Sequence, residues 1–246
     1  MFYTFACFGV RLLLRLLAEV KVEGLENIPA AGPLLLVSNH LNLVDPPVLG
    51  ALLPRRIVFM AKEELFHVPV IGWVVKWYGA FAVRRGQADR QALRSAIEVL
   101  RQGGVVGVFP EGTRSKTGRM NRAHAGAALI ATLSGASVLP VAITGTDKLR
   151  SPLSLFTRPT ITVRVGKPFT LGRSGSGKDD LDAMTTLIMG RVAALLPQER
   201  RGYYATAACS ADELVRHATR DTASDAGMQG FTSNDARPGA QTDCDG

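Results

Sequence analysis

Leu34-Leu35-Leu36-Val37-Ser38-Asn39-His40-Leu41-Asn42-Leu43-Val44-Asp45-Pro46-Pro47 changes character twice within a short stretch. Its first four residues form an unbroken apolar run, the pattern of a strand buried on both faces when helices cover both sides of a parallel sheet. Polar residues follow. Pro46 then disfavours helical backbone at Asp45 and itself suits the first position of a helix, so Asp45 is expected as the N-cap. Strand, loop and helix in that order are the repeating unit of an α/β domain.

The same alternation continues on both sides. Further strands are expected at residues 20–23, 57–60, 80–83, 105–109, 138–143 and 161–165, with helices between several of them. The clearest helix is 89–102, where Ala92, Ala96 and Val99 join Leu93, Ile97 and Leu100 on one face and Gly103-Gly104 stops it. A second, 181–196, ends before Pro197. The expected fold is a single α/β domain over residues 20–205, with a central, largely parallel sheet of about seven strands flanked by helices. From 206 to 246 large apolar residues are scarce, and a disordered tail is expected there. No internal repeat is present, and 246 residues suit one domain with one active site.

Residues 1–19 stand apart. An eighteen-residue helix here would be roughly 27 Å long, close to the ~30 Å of a bilayer's hydrocarbon core, so length alone permits a span. Arg11 and Arg15 would each cost about 2.5–3.5 kcal/mol at the bilayer centre, and with Thr4 and Glu19 they form one polar stripe. That stripe favours an amphipathic helix lying in the interface, arginines toward headgroups and Phe2, Phe5, Phe8, Leu12, Leu13 and Leu16 in the acyl layer. No small-residue cleavage site follows Ala18, so no export signal is read. Residues 66–78 carry Val68, Trp73 and Trp77 with little charge, which fits a lipid-dipping or acyl-lining segment as well as a buried helix.

The net charge is +8, but residues 1–205 hold 26 basic and 14 acidic residues, a net of +12. Such a body attracts anionic lipid surfaces, phosphorylated small molecules or nucleic acid. Aromatics do not interleave with Lys and Arg, and no nucleic-acid-binding motif is present, so a nucleic-acid partner is not expected. Cys7, Cys209 and Cys244 are odd in number and far apart, which suits neither a disulfide framework nor zinc and fits a reducing compartment. Gly172 to Lys178 has the glycine and lysine spacing of a phosphate-binding loop, yet Asp179 occupies the place of the required Ser or Thr. His67, His124 and His217 lack partners at metal or catalytic spacing. No metal or cofactor is expected.

In open α/β sheets ligands collect beyond the carboxyl ends of strands, and four segments there carry reactive groups. His40 and Asp45, five apart, would diverge by ~140° on a continuous helix and meet only if the chain turns between them. If they meet, the carboxylate fixes the imidazole tautomer and leaves the second ring nitrogen to take a proton from a hydroxyl. Read alone, the pair also fits a helix cap beside a polar loop residue. Phe109-Pro110-Glu111-Gly112-Thr113-Arg114-Ser115 follows the next strand with a carboxylate, a hydroxyl and a guanidinium able to grip phosphate. Arg84 and Arg85 end a third apolar segment, and Val138-Leu139-Pro140-Val141 is a fourth.

In this order and at roughly these spacings the four segments resemble the glycerolipid acyltransferase family that includes the 1-acylglycerol-3-phosphate acyltransferases, over about Val20 to Tyr203. The resemblance implies that His40 is the base and Asp45 its partner, that Arg84 and Arg114 bind phosphate, that Glu111, Gly112 and Thr113 belong to the acceptor site, and that Pro140 forms part of the acyl-side wall. Asn42 stands where many relatives carry serine. The implied reaction moves a fatty acyl group from acyl-CoA or an acyl-carrier protein to the sn-2 hydroxyl of lysophosphatidic acid, giving phosphatidic acid, and the expected location is the cytoplasmic face of a membrane, peripheral or monotopic. Another lysolipid as acceptor, thioester hydrolysis at the same site, or a catalytically dead lipid-binding protein are the alternatives. No Gly-x-Ser-x-Gly elbow is present, which argues against a serine hydrolase.

Overall fold

The structure, a computed structural model, describes residues 2–69, 72–73, 75, 79–83, 89–150, 157–171 and 177–208. All seven expected strands form: β1 (Glu19–Glu23), β2 (Leu34–Ser38), β3 (Ile57–Lys62), β4 (Phe81–Val83), β5 (Val105–Val108), β6 (Ser137–Thr144) and β7 (Thr160–Val165). They make one sheet in the order β1-β7-β6-β2-β5-β3-β4. Every neighbouring pair is parallel except β6–β7.

The apolar run that opens β2 is buried throughout because β2 lies at the centre, between β6 and β5. Its alternate side chains feed two cores. Leu35 and Val37 join Val106, Val138 and Ala142 under α3 (Arg90–Arg101), α4 (Gly126–Ser134) and α5 (Lys178–Ala194). Leu34 and Leu36 join Leu139, Val141, Ile143 and Val163 under α1 (Phe2–Leu17) and α2 (Asp45–Leu52). Helix α3 has the expected extent, with the Asp89 side chain accepting from the Ala92 N–H at 2.9 Å as its cap.

Two expectations change at the N-terminal helices. Arg11 is exposed but also tied to the domain: its Nε donates to the Ala51 carbonyl near the end of α2, beside Tyr3 Oη and Cys7 Sγ, which both donate to the Gly50 carbonyl at 3.1 and 3.3 Å. The carbonyls of a helix's last turn lack intrahelical partners and accept these donors. α1 is therefore apolar on two opposite sides. Cys7 and Leu14 pack inward, while Phe2, Phe5, Phe8, Leu12, Leu13 and Leu16 face outward, each more than half exposed. Among the described residues no helix is long and apolar enough to cross a membrane.

The second change is at Asp45, which is the first residue of α2 and not its cap; Val44 holds that position without a side-chain cap bond. Pro47 lacks one of the two N–H groups that a cap at Asp45 would accept from, the Val48 N–H bonds to the Val44 carbonyl at 3.0 Å, and the Asp45 side chain turns back toward the loop. Of the expected tail, residues 206–208 are described and Ala208 is fully buried; residues 209–246 lie outside the described residues, as does the second compact unit, Asp212–Gly246.

Candidate active site

Strand register places the reactive groups side by side. Val37 of β2 pairs with Val108 of β5, and His40 and Glu111 each follow three residues later, beyond the carboxyl ends of adjacent strands. Asp45 Oδ2 accepts from the backbone N–H groups of Leu41 and Asn42, both at 2.7 Å, and stands 2.8 Å from His40 Nδ1. An oxygen already receiving two N–H groups requires its third neighbour to donate as well, so Nδ1 carries the proton and Nε2 is left as the acceptor. His40 and Asp45 are both buried. Asp45 Oδ1 has no hydrogen-bond partner.

The main chain of His40 is held from the neighbouring loop on both sides. Its N–H donates to Glu111 Oε1 at 3.1 Å, and its carbonyl accepts from the Ser115 N–H at 2.8 Å. Glu111 Oε2 accepts from the Asn121 N–H at 2.8 Å, so both carboxylate oxygens are occupied by backbone. Burial pushes the Glu111 carboxyl up to about 7, against the opposing pull of those N–H groups. An aromatic column supports the imidazole: His40 stacks on Phe109 with centroids 4.3 Å apart, and Phe109 stacks on Phe59 at 5.8 Å. The column rests on Gly107, where a Cβ would stand 2.4 Å from the Phe59 ring.

A carboxylate-oriented imidazole in such a setting suits deprotonation of a hydroxyl. Comparison with known proteins gives this geometry a family. A model of the Acyltransferase family matches residues 19–144. The 1-acyl-sn-glycerol-3-phosphate acyltransferase of Bacillus subtilis is 32% identical over 197 residues, covering 78% of this chain and 96% of the relative. The chain belongs to the Acyltransferase family. A chloroplastic 1-acyl-sn-glycerol-3-phosphate acyltransferase of Arabidopsis thaliana is 36% identical over 134 residues, 53% of this chain but 37% of that protein, so the chain spans well under half of its length. The crystal structure of the 1-acyl-sn-glycerophosphate (LPA) acyltransferase PlsC from Thermotoga maritima matches with a TM-score of 0.59 and 33% identity over 73% of each chain.

In this family member the remaining expected residues are placed as follows. Thr113 and Arg114 are exposed in the loop that holds His40. Gly112 sits at a φ of +67°, which favours glycine, and a Cβ there would also approach the His124 ring to 3.1 Å. Pro140 is buried in β6 opposite Val37, on the face it shares with Val138 and Ala142, and its ring lies against Gly166. Its carbonyl accepts from the Gly166 N–H at 2.9 Å just where the β6–β7 ladder ends, a place that tolerates the N–H proline lacks. Arg84 and Trp77 lie outside the described residues. Among those described, no three His, Cys, Asp or Glu side chains converge as a metal site.

Two asparagines beside the dyad carried no assigned role in the sequence. The Asn39 side chain pairs with the Ile143 backbone, donating to its carbonyl and accepting its N–H, both at 2.9 Å. Asn42 Nδ2 donates to the Thr146 carbonyl at 2.7 Å. Together they tie the loop of the base to the end of β6. A buried asparagine directly after an apolar strand was the available signal, since a buried amide must find partners.

Proposed function

We propose that this chain transfers a fatty acyl group from the thioester of acyl-CoA or an acyl-carrier protein to the sn-2 hydroxyl of lysophosphatidic acid, forming phosphatidic acid. The observation that carries the reading is the buried contact of His40 Nδ1 with Asp45 Oδ2, set beside a loop with exposed Arg114. His40 Nε2 takes the proton of the acceptor hydroxyl as that oxygen attacks the thioester carbonyl. The tetrahedral intermediate then collapses, the C–S bond breaks, and the departing thiolate takes the proton back from the imidazolium. Asp45 holds the ring and stabilises its positive charge. The hydroxyl is the nucleophile, so no serine or cysteine nucleophile is needed.

Arg114, and Arg84 by the family pattern, supply the guanidinium groups for the acceptor phosphate, with Thr113 at the same loop. The sequence pattern also assigns Glu111 and Gly112 to the acceptor site and Pro140 to the acyl-side wall. The geometry supports a supporting role for the first two, as parts of the loop that fixes His40 and carries Arg114. The outward apolar face of α1 is the reading's membrane contact: a patch of three Phe and three Leu is larger than soluble surfaces usually expose, and it fits an interfacial helix on the cytoplasmic face.

The test is acyl transfer from labelled acyl-CoA to lysophosphatidic acid on vesicles, with His40→Ala and a no-acceptor control. Phosphatidic acid formed by the wild type and reduced at least about a hundredfold in the variant supports the reading. Free fatty acid released without acceptor makes the protein a thioesterase, and transfer only to another lysolipid reassigns the acceptor.

A further inference from the structure

The loop from Gly112 to Ala125 is gripped from inside the site and also from outside, by a C-terminal segment that follows the region matched by the family model. On the inside, Ser115 N–H bonds to the His40 carbonyl, Asn121 N–H to Glu111 and His124 N–H to the Pro110 carbonyl at 2.8 Å. On the outside stand two short 3-10 turns, Gln198–Arg200 and Gly202–Tyr204. The Met120 N–H donates to the Arg200 carbonyl at 3.0 Å, and the Met120 carbonyl accepts from Tyr203 N–H at 3.1 Å. The Ala123 N–H donates to Tyr204 Oη at 2.9 Å, and the Tyr204 side chain is buried. Arg200 adds a charged tie, its Nη1 standing 2.9 Å from Asp147 Oδ2 and 3.5 Å from the Gly118 carbonyl.

Arg200 thereby joins three stretches: the loop at Gly118, the turn after β6 at Asp147, and the C-terminal segment. The packing is close. A Cβ on Gly118 would meet Arg200 Nη1 at 2.9 Å, and one on Gly202 would meet the Met120 carbonyl at 2.3 Å. The pair is only partly exposed, at 23% and 22% for the two side chains, so water does not screen it fully. The segment so held presents Arg114, Lys116, Arg119 and Arg122, all exposed, and contains no acidic residue. A loop with that charge would splay from self-repulsion unless its backbone were fixed.

We propose that Arg200 is a positioning residue for acceptor recognition: through its side-chain contacts with Asp147 and Gly118 it holds the Gly112 to Ala125 loop so that its guanidinium groups face the acceptor phosphate. This rests on the reading that Arg114 binds that phosphate. Arg200 touches neither the dyad nor the substrate, so its loss acts on acceptor binding and leaves the acyl-transfer step in place. Arg200→Lys retains the charge but not the reach to both Asp147 and Gly118, and it restores part of the function.

The experiment measures KM for lysophosphatidic acid, KM for acyl-CoA and kcat separately for wild type, Arg200→Met, Arg200→Lys, Asp147→Asn and Arg114→Ala, each first checked for an unchanged thermal midpoint within a few degrees. The expected result is a rise of about tenfold in the lysophosphatidic acid KM for Arg200→Met and Asp147→Asn, with kcat and the acyl-CoA KM within twofold and Arg200→Lys intermediate. Should Arg114→Ala raise that KM while the Arg200 and Asp147 variants leave it unchanged, the positioning role is refuted and the phosphate reading stands. An unchanged KM in Arg114→Ala refutes the reading beneath it. A variant that lowers kcat and both KM-dependent rates alike, or that only lowers the thermal midpoint, assigns Arg200 to general stability and overturns the proposal.

Discussion

Glu111 is a buried carboxyl that the fold ionises only at a cost, and that cost is measurable as a dependence of stability on pH. Its folded value is about 7 against 4.5 for the free side chain, raised chiefly by burial. Between those two values the folded chain binds more proton than the unfolded one, so stability must fall as pH rises through this window. At about 1.36 kcal/mol per unit, the 4.5-to-7 interval amounts to roughly 3 kcal/mol lost by pH 8 relative to pH 4.5. Glu111→Gln removes the titration. It keeps one acceptor for the N–H groups of His40 and Asn121 and leaves the other N–H poorly partnered, a constant penalty of about 1–3 kcal/mol. Urea unfolding of both proteins from pH 5 to pH 8 should therefore show the wild type more stable than the variant at pH 5, by about the 1–3 kcal/mol of that penalty, with the difference moving against the wild type by about 2.5 kcal/mol by pH 8. A gap that stays flat, or widens with rising pH, refutes the claim that the charge on Glu111 is costly in this site.

Asn39→Ala removes both partners of the buried Ile143 backbone groups and is expected to destabilise by about 2–5 kcal/mol, read as a drop in the urea midpoint with unchanged slope. The outer face of α1 is tested by Phe5→Ser with Phe8→Ser: each ring exposes roughly 140 Å², and even half-inserted the pair contributes about 3 kcal/mol, so vesicle partition should weaken about a hundredfold while the thermal midpoint hardly moves. Unchanged sedimentation with vesicles would remove that face from the membrane contact.

Much of this was legible because the signals were local. Leu34 to Val37 reads as a central strand since four consecutive apolar residues leave no solvent face, and the structure buries all four. His40 and Asp45 were legible as a pair that a turn before Pro46 could bring together, but the backbone bonds that fix the carboxylate were not. Pro46 was read as making Asp45 the cap, whereas Val44 holds that position and the Asp45 carboxylate accepts from the Leu41 and Asn42 N–H groups beside His40 Nδ1. Contacts between distant residues were out of reach. The bond from exposed Arg11 to the Ala51 carbonyl could not be foreseen because the two are forty residues apart, and Arg200 and Tyr204 sit in a short polar stretch with no pattern to show that it braces the loop after β5.

Gly107 gives the aromatic column a meaning for how the protein tolerates change. Phe59 lies against the bare Cα of a mid-strand residue, Phe109 on Phe59, and His40 on Phe109. Close-packed interiors transmit displacement, so a single methyl added at Gly107 would travel up the stack and tilt the imidazole away from Asp45. A screen for inactive variants would then report a hit in the middle of a strand, at a residue without a side chain, as readily as at the base itself.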